Sequence, residues 1–247
     1  GKEIRLPETP DFNEADVSDK PPHLRAPTLS AKSVKSMHEE FRLRVLATKS
    51  VDDMVGRIRE VLKKTQLAQN TLIFFTSDHG YQLGHNRMIA KKVPYHRNTV
   101  VPMFVVGPGV VPGVADHLLA HIDLVPTFLE IAGGSASIEI DGKSWVSLFS
   151  NPPESPERPF RSNLLIQNWE AKSQLGSLIP ASYASLRMPH KIFTQWSNGA
   201  REYYDLALDP FQLDNRFSTL SKEQVMEFEN RLRALKRGNK SPVVTLD

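Results

Sequence analysis

Asp78 and His79 follow an apolar run, Thr71–Thr76, after a single serine, and a glycine comes next. The run is rich in β-branched and aromatic residues, which predicts a strand buried on both faces of a parallel sheet. Open α/β sheets form ligand sites where such strands end. A carboxylate and an imidazole at that place can both bind a divalent cation, so Asp78 and His79 are candidate metal ligands. The same residues also suit an ordinary turn, in which the aspartate caps the backbone and the glycine takes a positive φ.

A loop rich in cations and histidines follows this predicted strand. It contains His85, Lys91, Lys92 and His96, and a second apolar run, Val100–Val106, predicts the strand that closes it. Cationic side chains beside a strand-end site suit an anionic substrate. Adjacent lysines in a loop are nevertheless usually solvated. Residue type alone therefore leaves the role of the two lysines open.

Several motifs, in order, resemble the C-terminal half of the sulfatase family, which belongs to the alkaline-phosphatase superfamily. They are FFTSDHGYQLG, KKVPY, VVPMFVVGPGV and HIDLVPT. The resemblance implies an α/β fold: the C-terminal part of an alkaline-phosphatase-like α/β/α sandwich, followed by a small antiparallel sheet with a C-terminal helix. Further upstream, LPETPDFNEADVSDKPPHLR resembles a segment that follows the first half of the catalytic domain in bacterial sulfatases and in those similar to glucosamine-6-sulfatase. The chain is therefore expected to begin in mid-domain.

The resemblance implies roles for three of the candidate residues. Asp78 and His79 match metal-ligand positions of sulfatases, where many relatives carry asparagine at the second position. Calcium, which prefers oxygen ligands, is the favoured metal, and the imidazole nitrogen also allows manganese or zinc. Lys91 lies three residues before Pro94 of the Pro-Tyr pair. This spacing matches that of the family's catalytic lysine. That lysine contacts a sulfate oxygen and helps to protonate the leaving group.

His85 and His96 stand at positions where the resemblance leads one to expect other residues. His96 replaces a glutamate of many relatives, and His85 with Asn86 replaces a Glu-His pair. Both histidines are candidate substrate-binding residues at the rim of the site. The resemblance implies a sulfated small molecule or a sulfated sugar as the substrate, and these replacements leave the particular ester open.

The chain lacks other parts of the site that the resemblance implies. The family's nucleophile is a formylglycine made from cysteine or serine in a Cys/Ser-x-Pro-x-Arg motif, and this sequence contains neither a cysteine nor that motif. The family's N-terminal Asp-Asp metal ligands are also absent. The chain is therefore expected to be the C-terminal half of a sulfatase, inactive alone and partnered by the N-terminal half. A phosphonate monoester or phosphodiester hydrolase and a non-catalytic binding module remain the alternatives.

Composition excludes several other classes of protein. The 247 residues are 40% hydrophobic and carry a formal net charge of +3, which gives no basis for nucleic-acid binding. No run approaches the roughly 18 to 20 apolar residues that a membrane span needs. No N-terminal targeting signal is visible in the chain. We therefore expect a soluble protein of the cytoplasm or the periplasm.

Sequence patterns also predict the elements around the site. Residues 1–30 are proline-rich and predict an extended segment that needs another surface to lie on. A long amphipathic helix is predicted over 35–65, and Asp123 is expected to cap a helix over 124–132. The proline-rich stretch 151–159 predicts a boundary between a catalytic part, 1–150, and a C-terminal α+β part, 160–247. The C-terminal part is predicted to contain four strands at 162–169, 181–187, 191–195 and 201–206, a hairpin turn at Asn198-Gly199, and a final helix over 222–237 capped by Ser221.

Overall fold

A computed structural model of the protein describes residues 4–150, 160–169 and 182–238. Its α-helices are α1 (Ala31–Lys64), α2 (His96–Thr99), α3 (Leu124–Ile131), α4 (Ser147–Ser150) and α5 (Lys222–Gly238). Its strands are β1 (Ile73–Thr76), β2 (Gln82–Leu83), β3 (Ile89–Ala90), β4 (Met103–Val106), β5 (Leu164–Asn168), β6 (Tyr183–Met188), β7 (Lys191–Trp196) and β8 (Arg201–Asp205). Short 3₁₀ helices occur at Pro22–Leu24, Ala68–Asn70, His121–Asp123 and Arg216–Thr219. The mixture of helices and strands agrees with the predicted α/β class.

The described residues form two compact units. The first contains the residues up to Lys91 together with Tyr95–Pro108, and the second contains Lys92–Pro94 and the residues from Gly109 onward. The predicted connector at 151–159 lies outside the described residues. The domain division at that connector therefore stays a prediction.

Helix α1 dominates the first unit and is amphipathic, as its sequence predicts. Its N-terminus is capped by Ser30, whose side chain accepts a hydrogen bond from the Ser33 N–H. Near this end the helix buries Met37 against Leu6 and Leu83. Farther along, apolar side chains at helical spacing remain exposed, namely Leu43, Val51, Met54, Ile58 and Val61. The distal part of α1 thus has an apolar stripe that the described residues do not cover.

Strands β1 and β4 pair with each other, and their pairing corrects one prediction. They run antiparallel, with Ile73 opposite Val106 and Thr76 opposite Met103, whereas the first strand was predicted to lie in a parallel sheet. A short apolar run fits a core strand of a parallel sheet and of an antiparallel one, so it does not determine the direction of the neighbouring strand. The predicted burial on both faces is also missing, because Phe104 is 61% exposed and Val106 is 59% exposed.

The proline-rich N-terminal segment lies on the hairpin formed by β2 and β3, as its composition predicts. Asn13 N–H donates to the Gly84 carbonyl at 2.9 Å, and Asn86 N–H donates to the Asp11 carbonyl at 2.6 Å. The Arg87 guanidinium donates to the Glu14 carbonyl at 2.6 Å. Backbone groups that the segment cannot pair internally are thereby satisfied.

The second unit contains a small antiparallel sheet, as predicted, with four strands in the order β5-β6-β7-β8. The Asn198-Gly199 turn joins β7 to β8, and Gly199 adopts a φ of +86°, which suits glycine in a hairpin turn. Helix α5 packs Phe228 and Leu232 against one face of the sheet. Its N-terminus carries a reciprocal cap, in which Gln224 N–H donates to Ser221 Oγ and Ser221 N–H donates to Gln224 Oε1.

Asp123 has a different role from the predicted one. Its carboxylate makes no capping bond to α3. Instead it is fully buried and accepts hydrogen bonds from Ala120 N–H and Lys143 N–H, each at 2.8 Å. The Arg161 guanidinium binds both carboxylate oxygens, at 2.7 and 2.5 Å. Asp123 therefore ties three separate segments of the second unit together.

Among the described residues, no helix combines the length and the apolar character required to cross a membrane.

Candidate functional site

The backbone turns sharply after β1, and this turn presents the two candidate metal ligands. The Asp78 side chain is 84% exposed, whereas the His79 side chain is 21% exposed. Asp78 Oδ1 accepts the His79 N–H at 2.9 Å and also faces the Ser77 hydroxyl at 3.3 Å. The His79 N–H is the main reason why the pKa of Asp78 lies below its usual value. The carboxylate is therefore ionised at neutral pH.

Gly80 is required here for a reason other than the positive φ that an ordinary turn would give it. Its φ lies outside the left-handed region, but a Cβ at this position would lie 1.8 Å from the Arg97 carbonyl oxygen. The Gly80 N–H also donates to the Asn98 carbonyl at 2.9 Å. The glycine therefore allows two backbone segments to touch.

The orientation of the His79 ring is set by the carbonyl of Gly80. His79 Nδ1 lies 2.8 Å from the Gly80 oxygen, which can only accept, so Nδ1 carries a hydrogen. In the neutral ring the lone pair is then on Nε2, which lies 3.3 Å from Asp78 Oδ2. A histidine that donates one ring N–H to a carbonyl is oriented to bind a metal through its other nitrogen.

Lys91 meets the same imidazole nitrogen. Its Nζ lies 3.3 Å from His79 Nε2, and the lysine is half-buried. The structure thus brings the predicted catalytic lysine to the two predicted metal ligands, although Lys91 lies 12 residues after His79 in sequence. Its neighbour Lys92 is also half-buried, so exposure does not distinguish the two lysines.

The donor atoms present fit one side of a metal site. Asp78 supplies an anionic oxygen and His79 a nitrogen lone pair, a set that suits manganese or zinc and is compatible with calcium. Within the part of the chain that the structure describes, no group of three or more His, Cys, Asp or Glu side chains is arranged to hold a metal ion. A complete site therefore needs further ligands.

The two predicted substrate-binding histidines lie in different settings. The His85 ring is buried, with 4% exposure, and packs edge-on against Phe12 at a centroid distance of 5.7 Å. Burial of the ring lowers the pKa of His85 most, and the charge of Arg97 lowers it further, from 6.5 to about 4. His96 is half-buried at the start of α2. Substrate binding by either residue stays a prediction, and for His85 it would require the ring to become accessible.

Sequence analysis did not identify the ion pair between buried Asp11 and Arg97, whose carbonyl is packed against Gly80. We call it the Asp11 clamp and define it as Thr9, Asp11 and Arg97. Arg97 Nε donates to Asp11 Oδ2 at 2.6 Å, and Arg97 Nη2 donates to Asp11 Oδ1 at 3.0 Å. Thr9 Oγ1 accepts from Arg97 Nη2 at 2.7 Å. The partners lie more than eighty residues apart in sequence, so no local pattern could have revealed them.

Comparison with protein families gives two overlapping matches. A family profile described as Sulfatase matches residues 7–135, just over half of the chain. A second profile, described as N-sulphoglucosamine sulphohydrolase, C-terminal, matches residues 84–238. Together they cover both compact units.

Individual relatives agree with these matches. The arylsulfatase of Chlamydomonas reinhardtii is 30% identical over 230 residues, which cover 82% of this chain and 35% of that enzyme. The N-acetylglucosamine-6-sulfatase of Capra hircus is 28% identical over 84% of this chain and 42% of that enzyme. The chain thus spans less than half the length of both relatives.

Solved structures share the fold. BT4656, solved in complex with its substrate D-glucosamine-2-N,6-O-disulfate, superposes with a TM-score of 0.71 at 23% identity and covers 81% of this chain and 41% of that chain. The phosphonate monoester hydrolase of Agrobacterium radiobacter superposes with a TM-score of 0.63 at 22% identity, over 76% of this chain and 39% of that chain. These likenesses confirm the predicted alkaline-phosphatase-like fold class.

Proposed function

Because the chain belongs to the sulfatase family, we propose that it carries part of the active site of a sulfuric ester hydrolase. The observation that supports this most is the convergence of Asp78 Oδ2 and Lys91 Nζ on His79 Nε2, each at 3.3 Å. An anion, a nitrogen ligand and a cation at one strand end are the groups needed to bind a metal beside a sulfate ester.

Asp78 and His79 would hold one side of a divalent cation, with calcium favoured and manganese or zinc also compatible. When bound, such a cation neutralises charge on the sulfate oxygens. The Gly80 carbonyl keeps the His79 ring in the orientation that this role needs. Lys91 would donate to a sulfate oxygen and provide a proton for the leaving alkoxide, because its ammonium already faces the same point.

The nucleophile would come from an N-terminal half of the same enzyme, as a formylglycine. Two features support a missing half. The sequence contains no Cys/Ser-x-Pro-x-Arg motif, and it spans 35% of the length of the algal arylsulfatase. The exposed apolar side chains of β4 and of distal α1 would be covered by that half, because surfaces of this kind are rarely left open to water. We expect the chain alone to be inactive.

We propose a sulfated sugar as the substrate class. The goat relative is an N-acetylglucosamine-6-sulfatase, and BT4656 was solved with a disulfated glucosamine. A phosphonate monoester or phosphodiester hydrolase is the second candidate, because a phosphonate monoester hydrolase shares the fold. A binding module without catalysis is the third, since the chain itself contains no Cys/Ser-x-Pro-x-Arg motif.

Turnover by lysine variants of the full-length enzyme tests this function. Lys91→Ala should lower the turnover of an aryl sulfate by about 100-fold or more, because a charge-assisted contact to the transferring group is lost. Lys92→Ala is the matched control and should have a small effect. The same enzyme should hydrolyse the sulfate ester faster than the corresponding phosphonate monoester. Equal, small effects of both substitutions would contradict the role of Lys91, and a preference for the phosphonate would favour the second candidate.

A further inference from the structure

We propose that the Asp11 clamp positions the imidazole of His79 by fixing the backbone at Arg97 and Asn98, against which Gly80 is packed. The inference rests on the function proposed above for Asp78 and His79. It assigns a positioning role to Asp11 and Arg97, which act on His79 through the backbone of Arg97, Asn98 and Gly80.

The first link is the ion pair itself. Two guanidinium nitrogens of Arg97 bind the two carboxylate oxygens of Asp11, at 2.6 and 3.0 Å, in a bidentate arrangement. Thr9 Oγ1 donates to Asp11 Oδ1 at 2.5 Å and accepts from Arg97. Burial would raise the pKa of Asp11, but the hydrogen bonds from Arg97 and Thr9 outweigh it and hold the pKa below its usual value. The pair therefore remains charged at neutral pH.

Asp11 is also held in place by contacts other than those with Arg97. Asp11 is 1% exposed, and its carbonyl accepts the Asn86 N–H at 2.6 Å. Because Asp11 cannot shift without breaking these bonds, it gives the Arg97 side chain a fixed anchor. A bidentate contact to a fixed carboxylate holds the guanidinium in place and thereby limits how far the Arg97 backbone can move.

The second link is the contact between backbones. Gly80 N–H donates to the Asn98 carbonyl at 2.9 Å, and the Gly80 Cα lies so near the Arg97 carbonyl that a Cβ would be 1.8 Å from it. Asn98 is fully buried. There is no free space between the two segments, so displacement of Arg97 must displace Gly80.

The third link is the hydrogen bond from His79 Nδ1 to the Gly80 carbonyl, at 2.8 Å. This bond determines where Nε2 points, and Nε2 is the atom that faces Asp78 and Lys91. Loss of the group that orients a metal-binding histidine typically weakens metal affinity by about 10 to 100-fold. The Asp11 clamp therefore controls His79 through two backbone contacts.

A second buried ion pair in the same segment provides a matched control. Glu14 and Lys20 are both buried, and their charged atoms lie 3.1 Å apart. The Glu14 carboxylate also accepts from Asn86 Nδ2 at 2.9 Å. Glu14→Gln and Asp11→Asn thus make the same chemical change in the same N-terminal segment, but only Asp11 is bonded to Arg97.

The test measures metal binding by the full-length enzyme, with calcium and then manganese titrated into the metal-free protein by calorimetry. Asp11→Asn should raise the dissociation constant for the metal by about 10-fold. This is the lower end of the range for loss of a group that orients a metal-binding histidine. Glu14→Gln should change it by less than about twofold. Unchanged affinity in Asp11→Asn, or an equal loss in both variants, would overturn the proposal.

Two further measurements keep the test decisive. If Asp11→Asn does not fold, Thr9→Val removes both hydrogen bonds of Thr9 from the clamp, one to Asp11 and one from Arg97, and should weaken metal binding by about threefold. If the full-length enzyme binds no metal, the proposed function fails, and hydrogen exchange of the Gly80 amide then tests the clamp directly. That amide should exchange faster in Asp11→Asn than in Glu14→Gln, and equal exchange rates would refute the positioning role.

Discussion

His85 should make the stability of the protein sensitive to mild acid. Its ring is 4% exposed, and neither ring nitrogen has a hydrogen-bond partner of normal geometry among the described residues. Burial lowers its pKa most, and the charge of Arg97 lowers it further. The Asp11 carboxylate and the Pro7 carbonyl raise the pKa, but by less. The pKa of His85 falls from 6.5 to about 4 as a result.

The direction of the effect follows from which state binds the proton. An unfolded chain protonates His85 below about pH 6.5, whereas the folded protein resists protonation until about pH 4. His85 therefore does not affect the free energy of unfolding above about pH 6.5, and it lowers that free energy as the pH falls from about 6.5 towards about 4. The free energy of unfolding should drop by about 2 kcal/mol at pH 5, and by about 3 kcal/mol near pH 4.

Chemical denaturation of the full-length enzyme at about pH 7.5 and about pH 5 measures this effect. Other groups also titrate in this range, so the informative quantity is the difference between variants. The wild type should lose about 2 kcal/mol more than His85→Gln between the two pH values. His190→Gln, which replaces an exposed histidine in the turn after β6, is the control and should behave like the wild type. The same pH dependence in wild type and His85→Gln would refute the reasoning.

Two other predictions concern the metal site and the second unit. Asp78→Ala should abolish metal binding by the full-length enzyme, as measured by elemental analysis. The control, Asp53→Ala on the exposed part of α1, should keep its metal. Metal retained in Asp78→Ala would refute the assignment of Asp78 as a metal ligand. Arg161→Ala leaves the buried Asp123 carboxylate without its guanidinium and should lower the free energy of unfolding by about 3 kcal/mol. Arg42→Ala, which breaks an exposed ion pair on α1, should change it by less than about 1 kcal/mol, and equal effects of the two arginine variants would contradict the role of Asp123.

Local patterns predicted the features whose determinants are close in sequence. The Asn198-Gly199 turn and the Ser221 cap depend on residues within one turn of each other, and both were predicted correctly. The amphipathic pattern of α5 likewise predicted the face that packs on the sheet. In the site, the strand-end position of Asp78 and His79 follows from the apolar run before them.

Features that depend on distant partners could not be predicted. Asp123 was expected to cap α3, but it binds Lys143 and Arg161, which lie 20 and 38 residues away. The direction of β4 relative to β1 has no signature in either strand. The Asp11 clamp joins residues 86 positions apart, so neither its existence nor its effect on Gly80 could be inferred from spacing.

The activity of residues 1–247, measured alone and with the N-terminal half of the enzyme added, tests the central proposal most directly. Alone, the chain should not hydrolyse an aryl sulfate, because it has no formylglycine nucleophile, and its exposed apolar side chains on β4 and α1 should favour association. Addition of the N-terminal half should restore turnover and give a defined complex. Sulfatase activity from a soluble, monomeric 1–247 chain would contradict the proposal that the site is shared between two halves.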